Sequence, residues 1–184
     1  MRIISGYLKG KKINLPKDHL TRPLKDIVKE SVFNIIEHSK DINSMLAGGM
    51  VLDLFSGSGS FGLECISRGA KKVTFNENYN SAIEILKKNI KKLNCENKCQ
   101  ILKSDCFYLS RNFDQKVDII FMDPPFKEKK LNELIISITE AKILKKKGLI
   151  IIHRNKKNEE DLSKSLKIFD IRYYGLSKII FANL

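Results

Sequence analysis

An α/β fold with a mostly parallel sheet, covered by helices on both faces, is predicted by three features of this 184-residue sequence. Short apolar runs alternate with segments of helical periodicity, the first run leads straight into a glycine-rich loop, and the fourth, Val117 to Met122, is nearly all apolar from Ile119 onward. Alternating β and α segments imply parallel strands. A strand with no polar face belongs in the middle of such a sheet, with helices on either side.

The elements follow in order. Arg2 to Leu15 combine a strand-like start, turn signals at Gly6 and Gly10 and a Lys-rich stretch before Pro16, which predicts a basic hairpin or arm. From Asp26 to Ser39, Ile27, Val28, Val32, Phe33, Ile35 and Ile36 recur at helical spacing, with Lys29, Glu30 and Glu37 on the opposite side. Met50 to Phe55 is the first strand, Val73 to Phe75 the second, and the segment from Ile101 the third. Leu149 to Ile152 is the fifth, after a helix from Leu131 to Ile143. The lysine run 145–147 is expected to be a solvated helix end, where cations offset the helix dipole. Two β-like runs, Ile168 to Tyr173 and Lys178 to Phe181, suggest a closing hairpin.

Length and composition fit one compact domain. The formal net charge of +13 draws polyanions, so nucleic acid is a reasonable partner, although 28 of the 34 basic residues are Lys and coding bias produces the same enrichment. Cys65, Cys95, Cys99 and Cys106 contain no C-x-x-C pair and no His at metal-ligand spacing, which argues for reduced thiols and against zinc or a disulfide framework. No apolar run reaches membrane-spanning length, and the N-terminus lacks a signal-peptide core, so a cytoplasmic protein is expected.

Asp53-Leu54-Phe55-Ser56-Gly57-Ser58-Gly59-Ser60-Phe61-Gly62 places three glycines at G-x-G-x-x-G spacing directly after a strand. Such a loop lets a ligand approach backbone N–H groups at a helix N-terminus, which suits a dinucleotide or S-adenosylmethionine. The acid before the glycines would repel a pyrophosphate but attracts a sulfonium and an ammonium, which favours S-adenosylmethionine, with S-adenosylhomocysteine as its product. Glu77, at the end of the second strand, is placed to accept ribose hydroxyls, and Asp105, after the third, to accept from an adenine amine. A carboxylate after a strand is also a common helix cap, and for Asp105 the two readings weigh equally.

Asp123-Pro124-Pro125-Phe126 follows the fourth strand. Two prolines make a rigid extended loop without N–H donors, whose carbonyls and acid can hold the two hydrogens of an aryl amine. Phe126 can stack on the base that carries it. The competing reading is a turn closing a buried strand, with Phe126 in the core.

Asp53 to Gly62 together with Asp-Pro-Pro-Phe resembles class I amino-methyltransferases, and the N-terminal RIISGYLKGKKI…TRPLKDIVKESVFNII is similar to the RsmD family. The resemblance runs from Arg2 to about Gly148. It implies a Rossmann-like sheet of seven mostly parallel strands, with residues 1–45 as a basic extension packed on a catalytic domain of residues 46–184. It further implies methylation of a guanine N2 amine in small-subunit rRNA, within an assembling ribosomal subunit, by a monomer needing no metal. The expected cofactor set is Asp53, Phe55, Gly57, Gly59, Glu77, Asn78, Asp105 and Cys106, with Asp123 to Phe126 catalytic. Lys9, Lys11 and Lys12 are the expected RNA contacts, and the resemblance adds Arg22 beside the active site. Three departures stand out: Leu24 where the family usually carries Thr, Asn76 before the acid where an apolar residue is common, and His153-Arg154 in place of Glu-His. His153 could equally be plain surface. Rival expectations are a DNA adenine-N6 or cytosine-N4 methyltransferase, disfavoured by the N-terminal segment; a protein glutamine methyltransferase, disfavoured by Asp rather than Asn at 123; and a non-catalytic RNA-binding assembly protein, disfavoured by the intact motifs.

Overall fold

The computed structural model describes residues 1–16, 24–39, 42–111, 113–158, 160–162 and 164–184. Seven strands form one sheet: β1 (Met50–Leu54), β2 (Lys72–Glu77), β3 (Cys99–Lys103), β4 (Val117–Met122), β5 (Leu144–Asn155), β6 (Lys167–Tyr174) and β7 (Ser177–Asn183), in the order β3-β2-β1-β4-β5-β7-β6. Strands β1 to β5 pair in parallel, and β7 runs antiparallel to both β5 and β6. Among the described residues the α-helices are α1 (Asp26–His38), α2 (Asn43–Leu46), α3 (Ser60–Ser67), α4 (Asn80–Lys92) and α5 (Leu131–Glu140). Two apolar clusters form on opposite sides of the sheet. One joins α1 and α3 to alternate sheet residues such as Val51, Phe75 and Phe121, and the other joins α5 to their neighbours Leu52, Ile120 and Met122. This two-sided burial is what the apolar β4 sequence predicted.

The N-terminal segment is stitched to the sheet's helices. Arg2 bridges Lys12 in antiparallel fashion, and Ile3, Leu8 and Ile13 are buried in the cluster that contains α1 and α3. Glu64 of α3 accepts the N–H groups of Ile4 and Ser5 at 2.8 and 2.9 Å, and Asn89 of α4 exchanges hydrogen bonds with the backbone of Asn14.

Two local expectations are corrected. Lys29, expected on the solvent side of α1, is 0% exposed, whereas Ile27, expected on the apolar side, is 66% exposed. The reason is a polar partner set supplied from a distance: Lys29 Nζ donates to the Arg2 carbonyl at 2.9 Å and to Ser60 Oγ at 3.3 Å, and lies 3.5 Å from Glu64 Oε2. Burial lowers the Lys29 ammonium below its ordinary range, with Glu64 and Asp26 pulling it back up. The lysines 145–147, expected at a helix end, lie on β5. Helix α5 stops at Glu140, Lys142 takes φ 52°, and the register jumps from Val117–Leu144 to Ile119–Leu149. The lysines are thus the exposed part of an irregular strand, where Lys145 pairs with Asp118 at 2.8 Å.

Candidate active site at the carboxyl edge of the sheet

In an open parallel sheet the ligand crevice opens where the strand order reverses, here between β1 and β4. A cavity of about 420 Å³ lies there, within the range of small-molecule sites. Asp53, Phe55, Gly57, Glu77 and Asn78 line it together with the whole Asp123–Phe126 loop. Residues from three strand ends, far apart in sequence, thus meet at one mouth.

The loop after β1 is shaped by its backbone. Phe55 has φ 59°, an uncommon conformation for a bulky residue and one that concentrates at ligand sites. Gly57 has φ 54°, and no atom of the described residues lies within 4 Å of where a Cβ would stand, so its backbone is open on that side to a ligand. Gly59, at φ 81°, starts α3, and a Cβ there would meet the buried Leu86 side chain at 2.4 Å; it does not line the cavity.

Asp53 is buried, and its Oδ2 accepts the Gly62 N–H at 3.0 Å. Burial raises its carboxyl well above the ordinary carboxylate range; the Gly62 N–H opposes the rise, while Asp123 and Glu77 add to it. Glu77 holds the loop, with Oε2 accepting from Gly57 N at 2.7 Å and Oε1 from Asn78 N and Tyr79 N at 3.0 and 2.9 Å. A carboxylate has about four lone-pair directions, so acceptor capacity is left for a ligand hydroxyl. Asn76, one residue earlier, sends its amide to the Ser104 hydroxyl at 2.7 Å and so ties β2 to the end of β3.

Asp105 and Cys106 stand apart. Asp105 is exposed, does not line the cavity, and caps the short 3-10 helix Cys106–Arg111 by accepting Phe107 N at 3.1 Å. Cys106 is buried outside the cavity lining, with its thiol pushed up to about 12 by burial and by Asp105. Lys9, Lys11 and Lys12 are exposed on the N-terminal segment and do not line the cavity, but Leu15 and Pro16, just beyond them, do. Arg22 lies outside the described residues.

The end of β5 contributes what sequence reasoning did not assign. His153, far from being plain surface, is 6% exposed; its Nδ1 lies 2.8 Å from Asp123 Oδ1 and its Nε2 2.8 Å from Ser177 Oγ. Phe126 meets its ring edge-on, at 5.7 Å between centroids. Arg154 is buried and donates to the Pro125 and Glu128 carbonyls at 3.0 and 2.8 Å and to the Glu160 carboxylate. The available signal was position: a His-Arg pair at the carboxyl end of a strand adjoining β4. Ser56 was also missed; its hydroxyl is buried in the cavity wall and has no hydrogen-bond partner among the described residues.

A family model described as conserved hypothetical protein 95 matches residues 1–183. The chain belongs to this family. It is the RsmD family of the sequence resemblance, and its relatives include the ribosomal RNA small subunit methyltransferase D of Haemophilus influenzae, 35% identical over 85% of this chain and 79% of that protein. The protein of that name from Escherichia coli is 30% identical over 86% of this chain and 76% of its own length. Among solved structures, the yhhF protein of Escherichia coli matches with a TM-score of 0.84 at 25% identity, covering 99% of this chain and 96% of the other. This member of the RsmD family therefore has the class I methyltransferase fold, with seven strands as expected.

Proposed function

We propose that this chain transfers a methyl group from S-adenosylmethionine to the exocyclic N2 amine of a guanine in small-subunit ribosomal RNA, as a cytoplasmic monomer acting on an assembling subunit. The observation that carries the reading is the convergence of Asp123-Pro124-Pro125-Phe126 with Asp53, Gly57 and Glu77 on one cavity. The names of the RsmD relatives supply the substrate class.

The residues present fit the cofactor. The Gly57 backbone, the Ser56 hydroxyl, which has no partner among the described residues, and the spare acceptor capacity of Glu77 suit a ligand rich in hydroxyls and charge, and Asp53 suits a cationic end. When bound, S-adenosylmethionine supplies a methyl group already activated by its sulfonium, so neither metal nor covalent enzyme intermediate is required. The chain's own contribution is placement. Asp123 and the Pro124 carbonyl hold the two amine hydrogens, Phe126 stacks on the base, and Asp123 receives the proton lost as the amine becomes methylated. Lys9, Lys11, Lys12 and Arg22 meet phosphates along the RNA approaching the cavity.

The test is to incubate the protein with radiolabelled S-adenosylmethionine and, separately, small ribosomal subunits lacking the modification, free rRNA and duplex DNA, then identify the labelled nucleoside. N2-methylguanosine from the ribosomal samples is expected. Label in DNA adenine or cytosine would overturn the substrate assignment, and cofactor binding without label anywhere would overturn turnover itself.

A further inference from the structure

The described site contains a side-chain chain that the motif-based reading leaves unused: Ser177 Oγ, both nitrogens of His153, and Asp123 Oδ1, linked by two contacts of 2.8 Å each. An ionised carboxylate only accepts hydrogen bonds, so the proton in the contact to Asp123 sits on His153 Nδ1. Nε2 then takes the acceptor role toward the Ser177 hydroxyl in the neutral imidazole. The ring is buried, lies against Phe126 and lines the cavity.

We propose that His153 is a positioning residue for methyl transfer, an inference that rests on the function proposed above. By donating to Oδ1 it turns the Asp123 carboxylate so that Oδ2 faces the target amine, while its ring limits Phe126 to one side of the cavity. The hydroxyl of Ser177, at the start of β7, fixes the ring from behind. The antiparallel β7 thereby acts on chemistry located at β4, because the register pairs Arg154 with Lys178 and Asn155 with Ser177 and brings that hydroxyl alongside β5.

Single-turnover methylation of unmodified small subunits tests this, with S-adenosylmethionine affinity measured by calorimetry. His153→Ala should lower the transfer rate about 10- to 100-fold, the scale of a misplaced reacting group, and leave cofactor affinity within about twofold. His153→Asn, whose amide nitrogen occupies the Nδ1 position, should recover most of the rate. His153→Gln, which places its amide at the Nε2 position, should not, and this pair decides the matter even if the alanine variant fails to fold. Equal rates for wild type and His153→Ala, or equal losses for the Asn and Gln variants, would overturn the assignment. If wild type itself transfers no label, the failure lies in the proposed function and not in His153.

Discussion

The guanidinium of Arg154 on β5 donates to the carbonyl of Pro125 at 3.0 Å, so a residue with no solvent exposure sets the path of the loop that follows β4. Prolines 124 and 125 have no N–H to anchor that loop, and their carbonyls need donors from elsewhere. Arg154→Ala would leave the Pro125 and Glu128 carbonyls and the Glu160 carboxylate without this donor. It should cost about 3 kcal/mol of stability, the scale of a broken buried ion pair, read from urea unfolding followed by circular dichroism.

The attachment of the N-terminal segment depends on Glu64, whose two oxygens serve Ile4 N and Ser5 N and also meet Lys29 and Arg68. Glu64→Ala should leave the buried Lys29 charge with only the half-exposed Asp26 carboxylate at 3.9 Å and cost about 3 kcal/mol. Hydrogen exchange should show the Ile4 and Ser5 amides losing protection while those of β4 keep most of theirs. Equal loss everywhere would mean that the segment and sheet unfold as one unit.

Asp53 should make the unliganded protein sensitive to pH in a definite direction. Its folded-state pKa is raised, so between the ordinary carboxylate value and the raised one the folded state binds more protons than the unfolded state. The contribution of Asp53 therefore becomes less favourable as pH rises through that window, and is recovered on acidification. Asp53→Asn keeps an acceptor for the Gly62 N–H and removes the buried ionisable group, whose charged form burial disfavours. It should raise the neutral-pH melting temperature and flatten this part of the profile, while weakening S-adenosylmethionine binding.

Asp123→Ala should slow methyl transfer about 100-fold or more, the scale of a lost acid–base group, with RNA affinity little changed. Full activity in a single-turnover assay would remove Asp123 from the mechanism.

Neutralising Lys9, Lys11 and Lys12 together should weaken RNA binding and reduce the slope of log K against log salt by about 2, as expected for three phosphate contacts to single-stranded RNA. An unchanged slope would mean that these exposed lysines are only solvated surface.

Sequence by itself determined the β/α alternation, the glycine loop between β1 and α3, and the placement of Asp53, Glu77 and Asp123 at strand ends on one edge of a parallel sheet. Those features are local: a periodicity of two or of 3.6 residues, a strand followed at once by glycines, a proline pair after an apolar run. Even Asp105, which the same strand-end logic placed at that edge, is used locally as a cap.

Tertiary structure alone decided which charges are buried and what they hold. Lys29 enters the core because Glu64 and the Arg2 carbonyl come to it, and His153 and Arg154 govern the Asp-Pro-Pro-Phe loop across about 30 residues of sequence. The cost of burying such a group is set by partners that arrive only when the chain folds, so no local periodicity announces it.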